Sequence, residues 1–286
     1  MAESYGFYPR KRSLFSSFSV TTILIVINVI VFLLFLVMLA FYGNNQEIVY
    51  DLLALNSLNF FHGDYLWTII TSMFMHGSFA HIFFNMISLF FIGSFVETII
   101  GRKRYLWFYL FSGIIAGLFF VGLSYFFGNG LLGSRIFGSP LEFGVGASGA
   151  IFGLAGLLAV LIPYKKIYLI AGPLIAIVFQ AIFQAIYPSS GFSGVISTVL
   201  TIYIFVSIFT MFSFNERTRR ISIPIEMPFW LLPFIAIIPL IIIGLFVKLP
   251  IANTAHFGGL IVGIFYGLYL RKKYRKKTRY ISRHFV

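Results

Sequence analysis

Cysteine is absent and acidic residues are scarce, with eight Asp and Glu among 286 positions. The first absence excludes disulfides, thiolate catalysis and cysteine-ligated metals or clusters. Charge of either sign is sparse, at 10% of residues against 59% hydrophobic ones. That balance excludes an ordinary water-soluble globular domain. Strict alternation of apolar and polar residues is also missing, so a transmembrane β-barrel does not fit. What is present instead is a series of continuous apolar runs, near residues 20–41, 78–100, 105–127, 147–163, 167–187, 195–214, 229–247 and 251–270. A helix needs roughly 20 such residues to cross a bilayer core of about 30 Å. The runs predict an all-α polytopic membrane protein with about eight transmembrane helices.

The net charge of +13 follows this topology. Threading eight spans puts Arg10-Lys11-Arg12, Arg102-Lys103-Arg104, Lys165-Lys166, Arg217 with Arg219-Arg220, and the eight basic residues from Arg271 to Arg283 on one side. Arg135 and Lys248 remain for the other side, together with Glu47, Asp51, Asp64 and Glu142. An excess of Lys and Arg marks the cytoplasmic face, so both termini are expected in the cytoplasm. The basic tail reads as an anchor to anionic lipid head groups of the bilayer, not as a nucleic-acid site. The first apolar run is too long for a cleaved signal and follows a basic segment, so it reads as a retained span. One membrane domain is expected: residues 1–18 as a cytoplasmic N-terminus, 19–270 as the transmembrane body, and 271–286 as a cytoplasmic tail. Residues 42–75 suit an interfacial loop with short helices, and the glycine-rich 128–146 reads as an irregular segment leading to Ser148. The small extramembrane portion fits a prokaryotic cell membrane.

Polar groups inside spans are costly and therefore candidates for function. His81 and Asn85 in "HIFFN" stand one helical turn apart on a common face. They can donate hydrogen bonds to one point, or hold helices together. A metal site from His76, His81 and His256 is disfavoured because no acid lies nearby in sequence. Glu97, close to Arg102, reads as a structural hydrogen bond or ion pair. In the last span Gly259, Gly263 and Gly267 recur every four residues, with His256 over the same strip. Gly149, Gly153 and Gly156 form a comparable strip beside Ser148. Smooth strips of this kind let helix backbones approach closely, and packing the two together brings Ser148 to His256. A histidine in reach can activate a serine, and a helix N-terminus favours a developing oxyanion. With no aspartate inside the spans, a Ser-His dyad is the most that this set supports. A packing seam and a merely hydrogen-bonded histidine are the plain alternatives.

In the order "HGSFAHIFFNM" (76–86), "GASGAIFG" (146–153) and "AHFGGLIVG" (255–263), these pieces resemble the rhomboid intramembrane serine proteases. The resemblance implies Ser148 as nucleophile and His256 as general base. It implies an oxyanion hole from His81, Asn85 and the Ser148 backbone N–H, with Gly146, His76, Phe152 and Gly259 in support. Phe152 stands where many members carry a tyrosine stacked on the catalytic histidine, so stacking is expected without the hydroxyl. Trp67-Thr68 replaces a frequent Trp-Arg, which leaves that loop without the arginine's hydrogen bonds. The family core has six helices, so residues of about 166–215 read as a two-helix hairpin inserted between core helices 4 and 5. Gln180 and Gln184 within it read as interhelical hydrogen bonding. The implied activity is cleavage of transmembrane protein substrates within or near the bilayer, with no cofactor and no metal. A proteolytically inactive relative or a transporter is the rival reading, although no matched pair of broken helices marks two transport-like halves.

Overall fold

A computed structural model describes residues 18–187, 191–211, 213, 215–246 and 252–284. Arg10-Lys11-Arg12 and Lys248 lie outside these described residues. Helix α1 (Val20–Tyr42) starts at Ser19, whose hydroxyl accepts from the Thr22 N–H, and ends at Gly43, at φ +51°. Its first turn is also held by Glu97, whose carboxylate accepts from Val20 N at 2.8 Å, Thr21 N at 2.9 Å and Thr21 Oγ1 at 2.8 Å. Arg102 pairs with the same carboxylate at 3.7 Å. The acid that the sequence places near the inner boundary is thus a structural clamp between two spans.

Residues 42–75 hold the short helices α2 (Gln46–Leu53), α3 (Ser57–His62) and α4 (Thr68–Thr71) and strand β1 (Leu55–Asn56). Local bonds hold this segment: Trp67 Nε1 donates to Leu52 O at 2.9 Å, and Thr68 Oγ1 to Tyr65 O at 2.7 Å. Helix α5 (Phe79–Ser88) continues through a π-helical turn (Leu89–Gly93) into α6 (Ser94–Ile100), and α7 covers Arg102–Phe127. The segment expected to be irregular contains a helix, α8 (Gly130–Phe137), which closes at Gly138 with φ +81°. Strand β2 (Phe143–Gly144) pairs antiparallel with β1 and ties the interfacial segment to the approach to Ser148.

Helix α9 (Ser148–Leu161) is the centre of the molecule, with most of its residues buried. After it, the apolar run at 167–187 does not begin as a span. Residues Lys166–Ile170 form strand β3, paired antiparallel with β4 (Pro224–Pro228), so the helix starts only at Ala171. Prolines at both ends of β4 disfavour a helix there, and Lys166 Nζ meets Glu226 Oε1 at 2.6 Å on the ladder. The Glu226 carboxylate holds the Lys166 ammonium above its ordinary pKa. Beyond β3 come α10 (Ala171–Ile186), α11 (Gly191–Met211), the single turn α12 (Glu216–Arg219) and, after β4, α13 (Leu232–Phe246). Helices α14 (Asn253–Lys273) and α15 (Arg275–His284) complete the described chain.

By length and composition, Val20–Leu53, Phe79–Ile100, Arg102–Phe127 and Phe192–Met211 can each cross a membrane, and Ser148–Leu161, Ala171–Gln184 and Phe229–Leu245 are shorter apolar helices. The protein is an all-α, multi-pass integral membrane protein. Gln180 and Gln184 of α10 both donate to Ser197 Oγ of α11, at 2.5 and 3.2 Å, which is the interhelical bonding expected of them.

Candidate active site

The chain reaches the site through Gly146, whose φ of +118° favours glycine and whose missing side chain leaves room for the His81 ring. A Cβ there would stand 2.7 Å from His81 Nε2. Gly146 N donates to Ser72 O at 2.8 Å, which fixes this turn against the loop before α5. Ser148 then opens α9, and no side chain caps this helix start. Its first N–H groups and the positive end of the helix dipole are therefore available to a ligand.

The two glycine strips do pack together. A Cβ on Gly259 would collide with the Gly149 carbonyl oxygen, and one on Gly263 with the Gly153 carbonyl oxygen. Such contact between the backbones of α9 and α14 sets His256 beside Ser148, with Nε2 2.8 Å from Oγ. The Phe152 ring stacks on His256, with centroids 4.5 Å apart and planes inclined by 23°. His256 is buried, and its Nδ1 has no hydrogen-bond partner among the described residues.

His81 and Asn85 approach from α5. Ser78 caps that helix by accepting from His81 N at 3.2 Å. Asn85 Nδ2 donates one hydrogen to His81 O at 3.0 Å; a carboxamide carries two, so one remains for the cavity. His76 is fully buried, with Nδ1 3.3 Å from Phe74 O and its ring edge-on to His81 at 5.0 Å. It is not among the described residues that line the cavity, and its ring meets the site at His81.

Ser148, His256, His81 and Asn85 all border one cavity of about 930 Å³, together with Phe152. Sequence reading places residues 128–146 along the cavity, as the structure does, but overlooked lining residues on α14 and α5. Asn253 lies three residues before His256, and helical spacing alone would have placed it on the same face; its Oδ1 is buried without a partner among the described residues. Phe84 and Ser88 extend the His81–Asn85 face of α5. Arg135 of α8 also borders the cavity and donates to Leu245 O at 2.9 Å, closing the C-terminal end of α13. Among the described residues, no group of three His, Asp or Glu side chains is gathered to hold a metal ion.

A family model described as the Rhomboid domain matches residues 63–171 and 164–273, well over half of the chain. The chain is 34% identical over 101 residues to the putative rhomboid protease YdcA of Bacillus subtilis (strain 168), covering 35% of this chain and 43% of that protein. It is 38% identical over 96 residues to the rhomboid protease AarA of Providencia stuartii, covering 32% and 33%. It is 35% identical over 94 residues to RHOMBOID-like protein 4 of Arabidopsis thaliana, covering 33% and 20%. Each alignment spans less than half the length of the curated relative.

Proposed function

The chain belongs to the rhomboid family, and from that premise we propose that it is an intramembrane serine endopeptidase that cleaves transmembrane protein substrates within or near the bilayer. The observation that carries this reading is the 2.8 Å contact between Ser148 Oγ and His256 Nε2 at an uncapped helix start, inside a cavity that His81 and Asn85 also line.

The residues act in a simple sequence. His256 Nε2 accepts the Ser148 proton as Oγ attacks the peptide carbonyl. The oxyanion receives hydrogen bonds from the Ser148 N–H, the second Asn85 amide hydrogen and His81. His256 then passes its proton to the leaving amine, and the acyl-enzyme is released by a water that the same nitrogen activates. With no third charged partner among the described residues, the pair works as a dyad, with Phe152 orienting the ring. Gly146, Gly259 and His76 support the arrangement through the turn, the helix contact and the His81 ring.

Helix α9 has 14 residues, about 21 Å at 1.5 Å per residue. That is shorter than a bilayer core of about 30 Å, so Ser148 sits below the membrane surface and the cavity supplies its water. A substrate helix must unwind to offer its carbonyl, because a helical carbonyl is already hydrogen-bonded. The distribution of basic clusters supports a topology with both termini in the cytoplasm and Ser148 toward the opposite face, in one membrane domain over residues 19–270.

The test is labelling of the full-length, detergent-solubilised protein with a fluorophosphonate, read by intact mass, beside cleavage of a transmembrane reporter in liposomes. One adduct at Ser148, lost in Ser148→Ala and His256→Ala together with cleavage, is the expected result. A folded wild type that neither labels nor cleaves overturns the proposal.

A further inference from the structure

The hairpin of α10 and α11 has no part in the mechanism above, yet it packs on the helix that carries His81 and Asn85. Ala176, Ile204 and Ile208 of the hairpin form a buried cluster with Phe83, Phe84 and Ile87 of α5. The Phe205 ring lies against three α5 rings, with centroids 6.5 Å from Phe79, 5.1 Å from Phe83 and 6.4 Å from Phe84. Phe209 adds a contact with Phe83 at 6.5 Å.

Helical spacing divides α5 into two adjoining faces. His81, Asn85 and Ser88 turn to the cavity. Phe79, Phe83 and Ile87 turn to the hairpin. Phe84 stands at the corner between them and belongs to both, bordering the cavity and stacking on Phe205. A wall made from one aromatic side chain is only as firm as what stands behind it. Here the backing is another ring, on a helix whose root is fastened by the β3–β4 ladder and by Tyr203 OH donating to Ile221 O at 2.9 Å.

We propose that the hairpin is a specificity element: Phe205 holds Phe84 in the cavity wall, and the Phe84–Phe205 pair limits the size of the substrate side chain that the site admits. Phe84 is the residue that meets substrate, and Phe205 is a positioning residue acting through it. The inference rests on the proteolytic reading of the site. An apolar wall discriminates by about 10- to 200-fold per methylene group, so its loss has a readable effect.

The experiment uses full-length protein in liposomes and two transmembrane reporters that differ only in carrying Ala or Phe at the residue whose carbonyl is attacked. The Phe-to-Ala cleavage ratio is compared for wild type, Phe205→Ala, Phe84→Ala, the double variant and Phe179→Ala, which alters an exposed hairpin residue. Labelling of Ser148 by a small fluorophosphonate is followed in parallel. The expected result is a ratio raised by about 10-fold or more in Phe205→Ala and Phe84→Ala, with no further rise in the double variant, no change in Phe179→Ala, and wild-type labelling in Phe205→Ala. Equal loss on both reporters, or loss of labelling in Phe205→Ala, reduces the hairpin to a structural support and overturns the inference. An unchanged ratio in a cleaving Phe205→Ala protein overturns it as well. A wild type that neither labels nor cleaves brings down the proteolytic reading itself, and this inference with it.

Discussion

Replacing Gly259 with alanine tests how two helix backbones position the Ser148–His256 pair. The new Cβ would collide with the Gly149 carbonyl oxygen and stand 2.9 Å from the Gly149 carbonyl carbon and 3.3 Å from Gly153 N. All three are main-chain atoms of the central helix, so no side chain can swing aside and α14 itself must retreat. Recovering a separation of about 3.5 Å requires a shift on the order of 1 Å or more. His256 is one turn before Gly259, and Ser148 adjoins Gly149, so the shift falls on the 2.8 Å Oγ–Nε2 contact. Stretched beyond about 3.5 Å, that hydrogen bond is lost. Overpacking costs about 1–3 kcal/mol, or a fall in Tm of about 2–10 °C. Misplacing a reacting group by about 1 Å costs about 100-fold in rate. Thermal unfolding in detergent and the fluorophosphonate labelling rate of Ser148 measure the two effects separately. Gly122→Ala is the control, because nothing lies within 4 Å of its Cβ position and helix propensity favours alanine by about 1 kcal/mol. A Gly259→Ala protein that labels at the wild-type rate would refute the reasoning, whatever its Tm.

Three further outcomes follow from the geometry. Asn85→Ala should slow reporter cleavage by about 10-fold or more while Ser148 still forms its bond to His256; cleavage at the wild-type rate would remove Asn85 from the oxyanion hole. Phe152→Ala should slow labelling by about 2- to 10-fold, the worth of an aromatic stack of about 0.5–1.5 kcal/mol, and Phe152→Tyr should restore it; equal rates in all three proteins would deny the ring its orienting role. Glu97→Ala should destabilise the fold by about 2 kcal/mol or more, because three bonds to a carboxylate are lost; calorimetry in detergent reads the loss, and an unchanged Tm would show that α1 is anchored elsewhere.

The geometry of the candidate site was legible in the sequence where its residues stand close together. Ser148 beside a strip of glycines, His256 over a matching strip and the four-residue step from His81 to Asn85 are each contained in a short window. Glycine spacing even foretold which helices touch. Contacts across long separations left no such trace. The run at 167–170 reads as the start of a span because it is apolar, and only its partners at 224–228 make it a strand. A glycine-rich stretch conceals α8, whose Arg135 is explained by a carbonyl 110 residues away. Phe84 looks like one aromatic among many until the neighbour across the helix, Phe205, is known.

The β3–β4 ladder also has a consequence for the architecture of the chain. Phe229 N bonds to Lys165 O at 2.9 Å, and Trp230 N to Pro163 O at 3.1 Å, so residues 166–228 leave and return at a single point. The excursion is a closed branch, and a turn of one or two residues spans the distance between its ends. Removing it would bare the Phe79–Phe83–Ile87 face of α5, which is apolar and can be covered by lipid instead of protein. The core around Ser148 and the hairpin beside it are therefore separable parts, joined by a hinge of main-chain hydrogen bonds and by apolar and aromatic packing against α5.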